Sequence, residues 1–170
     1  KIGRSLAMSG DEQGPEHLHN ALALLPADTH PVEHANALTS LGRYYHYQAK
    51  PEDAIAVLEQ ALELARPTGD WFALTMIYAF LSGAYQHLGD HETSNRWARE
   101  LVAFGDEQEL PFSVGLGNEF LAENAFMAGS FHEAVRYSKL DREAGDACGA
   151  LDRIAWSWFI EASALHGLGR

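Results

Sequence analysis

Leu41, Leu81 and Leu121 recur at an interval of 40 residues, and several other columns keep the same interval. Small residues fill one of them (Gly42, Ser82, Ala122, Ala162) and a second (Gly14, Ala54, Ser94, Ala134). Tyr45 and Tyr85 continue in register as Ala125 and Leu165, and Ala21 and Ala61 continue as Leu101 and Asp141. Gly89, Gly129 and Gly169 fall where successive helices should end. Such periodicity constrains the fold strongly: each repeat has one face to bury, so neighbours must stack. The apolar period is helical throughout, and almost no Val/Ile-rich alternating segment signals a strand.

These columns predict an all-α chain, an α-α superhelix of antiparallel helix pairs. Helices approach closely only where one offers a small side chain to a large one, as Gly42 and Ala54 do for Leu41, Tyr45 and Leu58. The expected pairs span about 31–49 with 52–66, 71–88 with 91–104, and 112–128 with 131–144. A helix over about 12–25 opens the chain and one over about 151–168 closes it. Pro31 and Pro111 are read as opening long helices, whereas Pro51 is placed in a turn. The whole chain is then a single array over 1–170. It holds a partial repeat at 1–30, full repeats at 31–70, 71–110 and 111–150, and the first helix of another at 151–170.

The residues Leu41-Gly42, Tyr45, Ala54, Leu58 and Ala61, followed by Pro67, resemble the tetratricopeptide repeat. That repeat has about 34 residues. The longer spacing, with LELARPTGD at 62–70 closing a second helix, is similar to its MalT-like subgroup. The resemblance implies a right-handed solenoid and a protein- or peptide-binding scaffold, the sensor or interaction region of a multidomain bacterial transcription or signalling regulator in the cytoplasm. A small-effector, sugar-like sensor and a structural self-association module are the alternatives. Glu161 and Asp141 depart from the pattern, in a leucine column and an alanine column, and suggest degeneration or a locally solvated helix pair. Lys1–Ser9 reads as the end of an earlier helix. The apolar residues Trp156, Trp158, Phe159, Ile160 and Leu165 suggest that the last helix continues into further chain or associates end to end.

The first helix of each pair should line a concave wall. The candidate binding residues are Arg43, His46, Tyr47, Phe80, His87, Glu119, Phe120, Glu123, Phe126, Trp156, Phe159 and Ile160, with Asn36, Thr39, Met76 and Gln86 beside them. Phe80, Phe120 and Ile160 share one register position. Two readings of that row stand: a groove for an extended peptide or partner helix, or internal packing.

Charge excludes more than it assigns. Twelve basic residues face 24 acidic ones, for a net charge of −12, which argues against binding a polyanion such as nucleic acid directly. The acidity concentrates at 51–110, with three basic and eleven acidic residues, and reads as a solvated outer surface. No apolar stretch approaches the roughly 20 residues needed to cross a bilayer. The one cysteine, Cys148, rules out an internal disulfide framework. His30-Pro31-Val32-Glu33-His34 spells H-x-x-E-H, but Pro31 at the first helical position leaves His30 outside the helix. Gly115-Leu116-Gly117 follows no strand and so is not a nucleotide loop. No catalytic residue, metal ligand or cofactor is expected, and the chain is not read as an enzyme.

Overall fold

The computed structural model describes residues 13–169. They form eight α-helices: α1 (Gln13–Leu24), α2 (Pro31–Tyr47), α3 (Pro51–Ala65), α4 (Trp71–His87), α5 (His91–Glu107), α6 (Pro111–Met127), α7 (Phe131–Cys148) and α8 (Leu151–Gly167). A 3-10 turn at Arg66–Thr68 extends α3, and no strand occurs among the described residues. The expectation for Lys1–Ser9 lies outside them.

From α2 onward the helices start at Pro31, Pro51, Trp71, His91, Pro111, Phe131 and Leu151, one every 20 residues. The 40-residue repeat therefore consists of two equal halves. The turns explain the regularity. Residues 49, 69, 89, 109, 129, 149 and 169 all have φ between 52° and 76°. This left-handed residue ends a helix and lets the next amide reach back to a free carbonyl. Lys50 N–H bonds Tyr45 O at 2.9 Å, and Leu110 N–H bonds Gly105 O at 2.8 Å. Glycine fills five of the seven places, while Ala49 and Glu109 fill the others. Pro51 is not a turn residue, as the sequence suggested, but the first residue of α3. Its missing N–H is harmless there and its fixed φ suits a helix start.

Contacts divide the chain into two compact units, Lys1–Gly89 and Asp90–Arg170. In the first, α1 to α4 pack in sequence and α2 also meets α4. A three-residue link between packed helices makes α2 and α3 antiparallel. Gly42 is what allows their approach: a Cβ there would lie 2.5 Å from Leu58 Cγ. Leu18 and Leu41 form a core to which Leu22, Tyr44, Tyr45 and Val57 add.

In the second unit α5 to α8 pack in sequence and α6 also meets α8. Ala98, Leu101, Leu121, Ala122 and Ala134 are buried, as their columns require. Glu161 and Asp141 are buried as well, Asp141 to 1% exposure. The expected solvated helix pair is therefore absent, and both carboxylates are held by arginines inside the unit. No helix among the described residues is long and apolar enough to cross a membrane.

Candidate recognition surfaces

In the first unit, Arg43, His46 and Tyr47 stand one turn apart on α2, and Phe80 and His87 stand two turns apart on α4. The structure brings the four rings together. His46 stacks on His87 with centroids 4.6 Å apart and planes within 3°. It also meets Tyr47 at 5.3 Å and Phe80 at 5.6 Å, and Tyr47 meets Phe80 edge-on at 6.2 Å. Gly83 admits the imidazole, since a Cβ there would lie 2.7 Å from His46 Cε1. Burial, and then the neighbouring His87, lower the His46 pKa to about 4. The ring is thus neutral at pH 7 and serves as an aromatic surface. Tyr47 leaves 67% of its surface open.

Beside these rings α2 and α4 enclose a recess of about 260 Å³, lined by Asn36, Thr39, Ser40, Arg43, Phe72, Ala73, Met76 and Phe80. Thr39 and Ser40 turn their hydroxyls back to Ala35 O and Asn36 O, both at 2.8 Å. The walls are apolar, and Arg43 is the charged residue among them. Sequence reasoning placed Asn36, Thr39, Arg43, Met76 and Phe80 on this wall but omitted Phe72, which is 51% exposed. The signal was present: Phe72, Met76 and Phe80 follow an i, i+4, i+8 stripe.

The second unit presents different chemistry. Arg153 of α8 is buried, and its Nη1 donates to Glu119 Oε2 at 2.7 Å and to Asp141 Oδ1 at 3.3 Å. Its guanidinium also lies 5.0 Å from the Phe112 ring centroid. One cation thus serves two carboxylates. Burial raises the Glu119 pKa to about 7; Arg153 opposes the rise, while Asp141, Glu123 and Asp152 add to it. Asp141 is raised to about 6, again by burial and against Arg153. Next to this cluster Arg142 donates to Glu161 Oε2 at 2.6 Å, and Lys139 stands 3.9 Å from the other oxygen.

One turn beyond Glu119, Glu123 accepts a hydrogen bond from Trp156 Nε1 at 2.8 Å. Trp156 stacks on Phe159 with centroids 5.1 Å apart. The two rings are 41% and 57% exposed. Four predicted residues, Glu119, Glu123, Trp156 and Phe159, therefore belong to one face of α6 and α8. The other three do not join it as open surface. Phe120 is half-buried. Phe126 packs against Phe131 at 5.8 Å. Ile160 is 6% exposed, a core residue of the helix interface that cannot line a groove. Arg153 was missed because its column gave no consistent signal: it holds the exposed Glu33 beside the buried Ala73 and Ser113.

A further recess of about 480 Å³ lies among α5, α6 and α7, with Val102, Leu110, Val114 and Leu140 beside Asp106, Glu109 and Glu143. The two histidines of the H-x-x-E-H spelling have separate partners: His30 bonds the Thr29 hydroxyl at 2.9 Å, and His34 Nδ1 donates to Leu25 O at 2.7 Å. No protein-family model matches the chain, and no curated protein matches it.

Proposed function

We propose that the chain is a tetratricopeptide-like recognition scaffold of the MalT-like kind, which holds a segment of a partner protein on its first-helix faces. In this reading it is the sensor or interaction region of a bacterial transcription or signalling regulator, and its pairs continue as an α-α superhelix. The 20-residue half-period supports that architecture, because equal helices joined by equal turns add the same rotation at each step.

The observation that carries the functional reading is the recess between α2 and α4, adjoining the ring surface of His46, Tyr47, Phe80 and His87. Exposed aromatics around an apolar depression are what recognition of a polypeptide side chain requires, since they supply contact area with little conformational entropy to lose. Size favours a side chain over a free sugar-like effector. About 260 Å³ falls below the roughly 300–1,000 Å³ of most small-molecule sites.

A random peptide library displayed on phage and selected on the immobilised protein tests this reading. Enriched peptides should bind the wild type and lose about tenfold or more in affinity to Phe80→Ala and Met76→Ala, as anchors in a desolvated pocket do. Selection without enrichment, or peptides indifferent to both variants, sinks the reading.

A further inference from the structure

The recess among α5, α6 and α7 lies wholly within the second unit. Its volume of about 480 Å³ falls inside the roughly 300–1,000 Å³ of small-molecule sites, unlike the α2–α4 recess. Glycines set the spacing of two of its walls. A Cβ on Gly105 would lie 2.7 Å from the Val114 backbone nitrogen, and one on Gly117 would lie 2.6 Å from Val102 Cγ2. The close approach of α5 and α6 leaves Val102, Leu110 and Val114 half-buried, and Leu140 of α7 is 38% exposed. These four side chains are the larger apolar groups of the recess.

The charged residues of the recess all have one sign. Asp106 from the last turn of α5, Glu109 from the turn after it and Glu143 of α7 line it, and no Lys, Arg or His does. None of the three carboxylates takes part in an ion pair or a side-chain hydrogen bond among the described residues. Elsewhere in the unit, Glu133, Glu161, Glu119 and Asp141 are each met by an arginine. Deeper in, Asn118 lines the recess and is 3% exposed. Its Nδ2 donates to Val114 O at 2.9 Å, while its side-chain oxygen accepts no hydrogen bond from a described residue. A ligand N–H entering the recess supplies the donor that this acceptor lacks.

We propose that this recess binds a small organic cation, an ammonium group carried on an apolar body. The body lies against Val102, Val114 and Leu140, the ammonium stands among Asp106, Glu109 and Glu143, and a donor on the body meets Asn118. Charge selects the class, because three carboxylates of one sign repel an anion and leave a neutral ligand without their attraction. A sugar would set hydroxyls against apolar walls that offer them no partner. The site stands apart from the α2–α4 recess in place and in chemistry, and it does not depend on a peptide binding there.

The test titrates tryptamine, which carries an ammonium and an indole N–H on one apolar body, into protein with ¹³C-labelled Leu and Val methyl groups. The Leu140 methyl resonances, assigned by their loss in Leu140→Met, report on the recess. Tryptamine should shift them saturably. Tryptophol, with a hydroxyl in place of the ammonium, should bind about tenfold more weakly, and the anion indolepropionate more weakly still. Joint replacement of Glu109→Gln and Glu143→Gln should weaken tryptamine about fivefold and leave tryptophol unchanged. Both carboxylates are exposed, so the fold should survive, and an unchanged remainder of the methyl spectrum verifies it. Equal binding of tryptamine and tryptophol overturns the proposal, as does tryptamine binding indifferent to the two replacements. The absence of a saturable Leu140 shift overturns it too. Tighter binding of the peptide acetyl-Gly-Lys-Gly-amide than of tryptamine would assign the recess to a partner's lysine and overturn the small-molecule class.

Discussion

Replacing Glu119 by glutamine isolates the cost of gathering two carboxylates around one buried guanidinium. Glu119 titrates at about 7 in the fold, against 4.5 ordinarily. The unfolded chain therefore gives up this proton more readily than the folded one. A raised carboxylate stabilises the fold fully below its unfolded pKa, and that stabilisation is lost as pH rises through the folded value. Linkage sets the slope at about −1.4 kcal/mol per pH unit while only the unfolded state is ionised. Integrated from pH 5 to pH 8, a carboxylate raised this far removes on the order of 2–3 kcal/mol from the stability of its unit. Glutamine keeps the shape and cannot ionise, so Glu119→Gln should lose roughly 2–3 kcal/mol less than wild type over that interval. Urea unfolding at pH 5, 6, 7 and 8, followed by tryptophan fluorescence, measures both proteins. Comparison with the variant cancels groups remote from the cluster, such as His46 lowered to about 4, whereas Asp141 shares Arg153 with Glu119 and titrates together with it. Parallel loss of stability in both proteins would falsify the assignment of a buried, proton-holding Glu119.

His46 carries the opposite sign. Its folded pKa of about 4 lies below the ordinary 6.5, so its contribution is lost as pH falls through that range. His46→Phe retains a ring against His87 and Phe80 and should suffer about 2 kcal/mol less acid destabilisation between pH 7 and pH 5, measured by urea unfolding; an unchanged acid limb refutes it. Ala49 and Glu109 hold the left-handed turn conformation with φ of 52° and 54°. Such a conformation costs a residue with a side chain roughly 1–2 kcal/mol, partly offset by the entropy glycine loses on folding. Ala49→Gly and Glu109→Gly should each raise the urea midpoint by the equivalent of about 0.5–1 kcal/mol, and a lowered midpoint contradicts the argument.

Helix order and position were legible in the sequence because packing columns and turn glycines are local consequences of one repeated contact. Gly42 meets Leu58 where small was expected to meet large, and Gly89, Gly129 and Gly169 all have the left-handed φ of a helix end. The half-period of 20 stayed hidden because Ala49 and Glu109 occupy two of its turns and break the glycine series. The first-unit site could be read more fully than the second. Arg43, His46, Tyr47, Phe80 and His87 follow helical spacing on two helices, and spacing suffices to place them on one face. Around Glu119, spacing gave the carboxylates but not their cation, which arrives from another helix 34 residues later.

The buried charges lie late in the chain, and their columns show why they act together. Glu161 stands where Leu41, Leu81 and Leu121 stand, and Asp141 where Ala61 and Leu101 stand. Each alone would leave an uncompensated charge in a helix interface, at a cost of several kcal/mol. With Arg142 and Arg153 present, both charges are paired across α7 and α8. Restoring leucine at 161 alone would strand Arg142, and restoring alanine at 141 alone would leave Arg153 to Glu119. The α6–α8 packing is therefore specified by mutually dependent charges, whereas α2 and α3 are fitted by size. Among the described residues, the carboxylates raised toward neutral pH, Glu119 and Asp141, belong to this charge-specified packing.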